Sequence, residues 1–96
     1  MPLDEVVYFK AADKYTIVGL LEDVSHGELL IRLSLTELLE QLDPGLFWQV
    51  HRGTIVNLVH VLATRRDLLG KTYIRLRGQK SELAVSRQYV HRFRQM

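Results

Sequence analysis

Cysteine is absent from this chain of 96 residues, so a disulfide and a thiolate metal site are both excluded. The four histidines are too scattered in sequence to form a metal-binding pair on one helical face. No apolar run approaches the roughly 20 residues of a membrane helix, and the N-terminus has no signal-peptide pattern. Neither a Gly-x-Ser-x-Gly nucleophile turn nor a phosphate-binding glycine loop occurs. We therefore expect no enzyme activity, no cofactor or metal ion, and a cytoplasmic location.

Acidic residues are scarce in the second half of the chain. Residues 50–96 contain ten basic and two acidic residues, a net charge of +8, whereas residues 1–49 contain three basic and nine acidic residues, a net charge of −6. The formal charge of the whole chain is only +2, which hides this asymmetry. A basic half indicates a surface that meets a polyanion such as nucleic acid. An acidic protein partner would suit the same charge distribution.

Period-two alternation and β-branched or aromatic residues predict a mainly β fold. The predicted strands are residues 6–10, 14–21, 29–32, 47–51, 59–63, 73–76 and 82–85. We expect the first two strands to form a hairpin through residues 11–13, and the last two to form another through residues 77–80. The chain also turns at residues 25–28. Residues 54–58 are predicted to be a short helical turn, and residues 64–71 a connection.

Two short helices are predicted. Ser34 and Glu37 have the spacing of a capping box, in which a hydroxyl and a carboxylate satisfy free N–H groups at a helix start. Leucines at helical spacing follow, so residues 35–42 should form an amphipathic helix that packs on the sheet, and Pro44-Gly45 should end it. Ser86 can cap a C-terminal helix over residues 87–94.

Two short runs, residues 50–57 and 85–89, each place an arginine just after a β-like stretch. The two arginines are Arg52 and Arg87. A guanidinium held at the end of a rigid element can bind guanine O6 and N7 with two hydrogen bonds. Taken singly, either arginine would also suit an ordinary solvated surface position.

In combination these runs resemble the LytTR DNA-binding domain of bacterial response regulators and other transcription factors. The resemblance covers nearly the whole chain in the order that the family shows. The matching segments are Val7-Tyr8-Phe9, Lys14-Tyr15, the leucine-rich residues 34–42, residues 47–57 and residues 83–89. The chain departs from the family at Gly53, where a serine is usual, and it lacks room for the strand that family members have before Leu3.

The resemblance implies an elongated antiparallel β-sheet arrangement that inserts loops into the major groove. The loops are residues 11–15, 51–57 and 86–88. Base contacts are expected from Arg52, Arg87 and Lys14. DNA-backbone or loop-supporting roles are expected from Tyr15, Gln49, His51, Thr54, Asn57, Ser86 and Gln88. Among these, we expect His51 to orient its turn through the ring nitrogens, and Asn57 to close the turn after Val56 through side-chain bonds to the backbone.

The expected partner is therefore double-stranded DNA at repeated sites. The resemblance implies that residues 1–96 are a single domain from a longer regulator, with a receiver or sensor domain elsewhere in that protein, and it allows a homodimer. The missing first strand should leave the run Val6-Val7-Tyr8-Phe9 on an exposed sheet edge, through which the domain would self-associate.

Two alternatives to DNA binding remain open at this point. One is a small β-rich protein-interaction module that binds an acidic partner, although such a partner gives no reason for arginines at both strand ends. The other is single-stranded RNA binding, for which Tyr8, Tyr15 and Tyr73 would be the stacking candidates. Further basic residues could act by phosphate attraction; they are Arg65, Arg66, Arg75, Arg92 and Arg94.

Overall fold

A computed structural model describes residues 3–21, 28–79 and 82–91. Within these residues the chain forms eight strands and one α-helix. The strands are β1 (Val6–Ala11), β2 (Thr16–Leu20), β3 (Glu28–Ile31), β4 (Phe47–His51), β5 (Thr54–Asn57), β6 (Val61–Arg66), β7 (Thr72–Leu76) and β8 (Leu83–Val85). The helix α1 spans Leu35–Gln41, and two 3-10 turns span Leu3–Glu5 and Leu58–His60. The mainly β prediction is confirmed.

The strands form two antiparallel sheets, one of five strands in the order β3-β2-β1-β5-β4 and one of three in the order β6-β7-β8. The predicted hairpins β1–β2 and β7–β8 are both present. The two sheets meet where β8 ends, because the Ser86 N–H donates to the Val50 carbonyl of β4 over 2.7 Å. This bond fixes the C-terminal segment against the edge of the larger sheet.

Two apolar cores cover the two faces of the five-stranded sheet. Under α1, the core consists of Val6, Phe9, Val18, Leu20, Leu35, Leu38, Leu42, Phe47 and Ile55. On the opposite face, a second core joins this sheet to the three-stranded sheet through Val7, Val50, Val56, Ile74, Leu76 and Val85. The register of β1 shifts between Val6 and Tyr8. This bulge explains why Val6 and Phe9, three residues apart, face the same core.

Helix α1 begins and ends as its sequence predicts. The Ser34 hydroxyl accepts a hydrogen bond from the Glu37 N–H at 3.1 Å, and the Glu37 carboxylate accepts one from the Ser34 N–H at 3.4 Å. Beyond the helix, the Asp43 carboxylate accepts from the Gly45 N–H at 2.8 Å and turns the chain towards β4. The helix, which lies between β3 and β4 in sequence, covers the first core.

The predicted helical turn at residues 54–58 is wrong, because Thr54–Asn57 is the strand β5. All four of its residues are buried, since β5 lies between β1 and β4 and both of its faces are covered. A strand buried on both faces loses the polar–apolar alternation by which strands are recognised. The next strand, predicted at residues 59–63, is also displaced, although its residues are mostly exposed and not buried on two faces. It starts at Val61 after a 3-10 turn and continues to Arg66 through residues predicted as a connection.

The expected exposed edge at the N-terminus is also wrong. Strand β1 is the central strand of the larger sheet and pairs with β2 on one side and β5 on the other. The edge strands of the described part of the chain are β3 and β4 in this sheet and β6 and β8 in the other. The run from Val6 to Phe9 is therefore protected by two neighbours, and the self-association inferred from its exposure has no structural basis.

The C-terminal helix is described only at its start. The Tyr89 N–H donates to the Ser86 carbonyl over 2.9 Å, and Val90 and His91 are helical. The remainder of the predicted helix, with Arg92 and Arg94, lies outside the described residues, as do residues 25–27 of the predicted turn.

Candidate nucleic-acid interface

The β1–β2 loop and the β4–β5 turn lie side by side at one end of the larger sheet. Strands β1 and β5 pair through Lys10 and Thr54, which brings their loop ends to the same level. The Ala11 N–H then donates to the Gly53 carbonyl over 2.8 Å. Because this bond joins the two loops directly, the loop that carries Lys14 and the turn that carries Arg52 have a fixed relative position.

The third predicted loop reaches the same turn through the other sheet. The bond from the Ser86 N–H to the Val50 carbonyl attaches the end of β8 one residue before His51. Arg87 therefore follows immediately after an anchored residue, and its side chain is exposed, as are those of Lys14 and Arg52. The fold thus attaches the three loops that carry Lys14, Arg52 and Arg87 to one another or to β4 through backbone hydrogen bonds.

Side chains stiffen the β4–β5 turn. His51 Nδ1 accepts a hydrogen bond from the Gly53 N–H at 3.2 Å, which places His51 in the turn-orienting position predicted for it. Gln49 Nε2 donates to the Arg52 carbonyl at 3.2 Å. At Gly53, an added Cβ would lie 3.7 Å from the Ala11 Cβ, an ordinary contact distance. The turn therefore has space for the Cβ of the serine that the resemblance leads one to expect, and the glycine removes the hydroxymethyl group of that serine.

The β1–β2 loop is closed by a hydrogen bond from the Ala12 N–H to the Tyr15 carbonyl at 2.8 Å. The Tyr15 side chain is half exposed beside Lys14. A cleft of about 280 Å³ lies between this loop, Arg52 and the start of α1. Lys14 and Arg52 therefore line one shared concave surface that is open to a ligand.

Gln49 and Gln88 line a second cleft, of about 390 Å³, together with Phe47 of β4, Leu39 of α1 and His91. Because Gln88 follows Arg87 directly in the chain, this cleft lies beside the segment that carries Arg87. The half-buried Ser86 lies two residues before Gln88, and its backbone N–H donates the hydrogen bond that joins the two sheets.

Thr54 and Asn57 do not reach this surface with their side chains, since both are buried. Asn57 lies at the far end of β5 from Arg52. Its Nδ2 donates to the carbonyls of Val6 at 2.8 Å and Leu3 at 3.4 Å, and its Oδ1 accepts from the Val59 N–H at 3.1 Å. This is the turn-closing geometry predicted from the sequence, and it leaves Asn57 the loop-supporting role rather than a contact with DNA.

One arginine assigned to phosphate attraction is already occupied. Arg65 Nη2 lies 2.7 Å from Glu82 Oε1, Arg65 Nε donates to Glu82 Oε2 at 3.1 Å, and the guanidinium lies 4.5 Å from the ring centre of Tyr73. The hydrogen bonds to Arg65 lower the pKa of Glu82, and those to Glu82 raise the pKa of Arg65. Local sequence patterns could not predict this pairing, because Arg65 of β6 and Glu82, just before β8, lie on opposite sides of β7.

Features of other function classes are missing from the part of the chain that the structure describes. It contains no group of three or more histidine, cysteine, aspartate or glutamate side chains that could hold a metal ion. None of its helices is long and apolar enough to cross a membrane.

Comparison with known proteins decides the family. The model of the LytTr DNA-binding domain matches residues 1–96. The chain belongs to this family. A solved LytTr DNA-binding domain, from a proposed methyl-accepting/DNA response regulator of Bacillus cereus, superposes with a TM-score of 0.83 at 27% identity and covers 99% of this chain and 83% of the other. The chain is therefore a LytTr domain in both sequence and fold, a DNA-binding module of transcriptional regulators.

Relatives of this LytTr domain are regulatory proteins. An uncharacterized response regulatory protein of Vibrio cholerae is 39% identical over 92 residues, which cover 96% of this chain and 34% of that protein. The CO-responsive transcriptional regulator RcoM of Rhodospirillum rubrum is 34% identical, covering 93% of this chain and 36% of RcoM. The transcriptional regulatory protein YpdB of Escherichia coli is 30% identical, and the match covers 99% of this chain and 37% of YpdB. This LytTr domain thus spans about a third of the length of these relatives.

Proposed function

We propose that this LytTr domain reads duplex DNA by placing three loops in the major groove, with Lys14, Arg52 and Arg87 at base edges. The observation that carries this proposal is the pair of backbone hydrogen bonds, Ala11 to Gly53 and Ser86 to Val50, that joins the three loops into one surface. Side chains on such a surface are preorganised, so less ordering entropy is lost on binding. An arginine fork is suited to guanine, and a lysine donates to the same acceptors.

Neighbouring polar groups would hold the DNA backbone while the three long side chains read bases. Tyr15, Gln88 and Ser86 offer hydroxyl and amide donors of the kind that bind phosphate and sugar oxygens. His51 and Gln49 act indirectly, because their hydrogen bonds to Gly53 and Arg52 shape the turn. This division separates residues that choose a sequence from residues that set the position of the domain on DNA.

A selection of bound duplexes from a random library, followed by affinity measurements at several salt concentrations, tests the proposal. We expect an enriched sequence motif and a linear fall of log affinity with log salt concentration. Equal affinity for selected and scrambled duplexes would contradict sequence-specific reading. Preferential binding of an acidic peptide or of single-stranded RNA over duplex DNA would favour one of the alternatives left open by the sequence.

The relatives support a proposal about the wider role of the domain. The domain would act within a longer cytoplasmic regulator, in which a receiver or sensor domain controls binding, and it would occupy repeated sites as a homodimer or as adjacent copies. The domain itself would contribute DNA recognition and no catalysis. That it lacks the first strand of the family stays a prediction.

The pairing of Arg65 leads to a prediction about salt dependence. We expect Arg65→Ala to leave the salt slope of DNA binding nearly unchanged, because this guanidinium already binds Glu82 and Tyr73. Arg66→Ala is the matched control, since it removes the guanidinium of the next residue of β6, whose side chain points to the opposite face of the sheet from that of Arg65. Loss of a phosphate contact there should flatten the slope by about one unit. A flattening of that size for Arg65→Ala would show that Arg65 leaves Glu82 to bind DNA.

A further inference from the structure

The β6–β7 loop, residues 67–71, holds two large apolar side chains in water. Leu68 is fully exposed and Leu69 is 83% exposed, more than any other large hydrophobic residue that the structure describes. Exposed single leucines are common, but two adjacent ones at a loop tip form an apolar projection. Neither residue contributes to the two cores, so their packing within the domain does not account for them.

The loop has a defined conformation. Asp67 Oδ1 accepts hydrogen bonds from the N–H groups of Leu69 and Lys71, both at 2.9 Å. The Gly70 N–H donates to the Asp67 carbonyl at 3.0 Å, and Gly70 adopts a positive φ of 84°. Tyr73 adds a hydroxyl bond to the second Asp67 oxygen at 3.3 Å. The two leucines are therefore presented by a loop that its own polar groups hold in place.

The position of this loop follows from the strand register. Arg66 pairs with Thr72 at the loop end of the β6–β7 hairpin, and Thr72 pairs with Val85 of β8. The loop therefore leaves the three-stranded sheet at the end where β8 passes into Ser86 and Arg87. A basic residue lies at each end, Arg66 just before the loop and Lys71 as the last residue of the loop. The apolar projection thus lies at the same end of the three-stranded sheet as Arg87, between two basic residues that suit a polyanion.

We propose that Leu68 and Leu69 contact thymine methyl groups in the major groove beside the base pair read by Arg87, which makes this loop a fourth reading element. The proposal rests on the DNA-reading mode proposed above. Each thymine presents a C5-methyl group in the major groove, and apolar side chains are the groups that recognise it. A loop that is already ordered can make this contact without losing the conformational freedom that a mobile loop would lose.

The first experiment compares sequence selection by the intact domain and by the double variant Leu68→Ser/Leu69→Ser. We expect the intact domain to prefer thymine at one or two positions next to the base whose preference Arg87→Ala relaxes, and the double variant to lose that preference. Leu62→Ser is the matched control, since Leu62 is half exposed on β6 but lies near the opposite end of that strand. The control should select the same sequences as the intact domain.

The second experiment removes the methyl group from the DNA instead. Replacing the flanking thymines by deoxyuridine keeps every hydrogen-bonding group and deletes only the C5-methyl. We expect this change to weaken binding of the intact domain by about fourfold per contacted methyl, the effect of exposing one buried methylene-sized group. The double variant should bind the thymine and deoxyuridine duplexes equally, because the side chains that sense the methyl are gone.

The outcomes separate this proposal from the one on which it rests. In one outcome, the Arg87→Ala variant loses base preference, the leucine double variant selects the same sequences as the intact domain, and the intact domain binds thymine and deoxyuridine duplexes equally. The fourth reading element is then overturned and the three-loop mode stands. If the intact domain selects no sequence at all, the three-loop mode itself has failed. If the leucine variant loses only cooperative binding to two adjacent sites, the projection contacts a second copy of the domain and the thymine contact is overturned.

Discussion

Replacement of Arg52 or Arg87 by alanine is expected to weaken binding to a selected duplex by about 1–3 kcal/mol for each arginine. Each loss should be confined to one base position, at which all four base pairs become nearly equivalent. The reason is geometric, because each guanidinium is exposed at the end of a strand that is anchored one or two residues earlier. Binding titrations on a set of single-base variants of the selected duplex measure both the size and the position of the loss.

Charge-preserving and distant variants serve as controls for this result. Arg52→Lys and Arg87→Lys keep the positive charge but lose the two-pronged donor, so the salt slope should stay the same while base preference falls. Arg77→Ala removes an exposed arginine from the β7–β8 loop, at the opposite end of the smaller sheet. If the lysine variants kept full base preference, or if Arg77→Ala relaxed it, the assignment of base reading to Arg52 and Arg87 would be wrong.

Replacement of Asn57 by alanine is expected to lower the free energy of unfolding by about 2–4 kcal/mol, because buried backbone groups lose their partners. The side chain is only 2% exposed, and it bonds to Val6 and Val59 at once. Denaturation by urea or heat measures the loss. Val59→Ala, at a neighbouring position that is more than half exposed, should change stability far less.

The same Asn57→Ala variant also distinguishes a role in stabilising the fold from a role in DNA recognition. At a temperature where it remains folded, its base preference should equal that of the intact domain, because the side chain lies at the far end of β5 from Arg52. An altered preference at a defined base would show that Asn57 shapes the recognition turn through the strand. A stability change within about 0.5 kcal/mol would show that its buried bonds are replaced in the variant.

Local sequence patterns predicted the elements whose stabilising groups lie close together in the chain. The capping box of Ser34 and Glu37 is one such case, because both partners lie within one helical turn. Strand β5 is the opposite case. Its neighbours β1 and β4 cover both of its faces and erase the alternation that reveals a strand, so the order of strands in the sheet must be known before β5 can be recognised.

The candidate interface could likewise be predicted from the sequence only in part. The exposed positions of Lys14, Arg52 and Arg87 followed from motifs that resemble a family, and the turn bond of His51 followed from its place beside Arg52. The bonds that gather the three loops could not be predicted from local pattern, because they join residues far apart in the chain. The Arg65–Glu82 pair is hidden in the same way, and so basic residues that look equivalent in sequence differ in their availability to phosphate.

The central place of β1 has a consequence for how the domain folds. Its partner β2 follows at once in the chain, whereas its other partner, β5, comes only after β3, α1 and β4. Phe9, for example, pairs with Ile55. Pairing of segments so distant is slow, because a long loop must close before any contact compensates for the lost chain entropy. During synthesis the β1–β2 hairpin therefore presents an open, apolar strand until residue 57 has emerged. The nascent chain, rather than the finished domain, is the species most prone to aggregate.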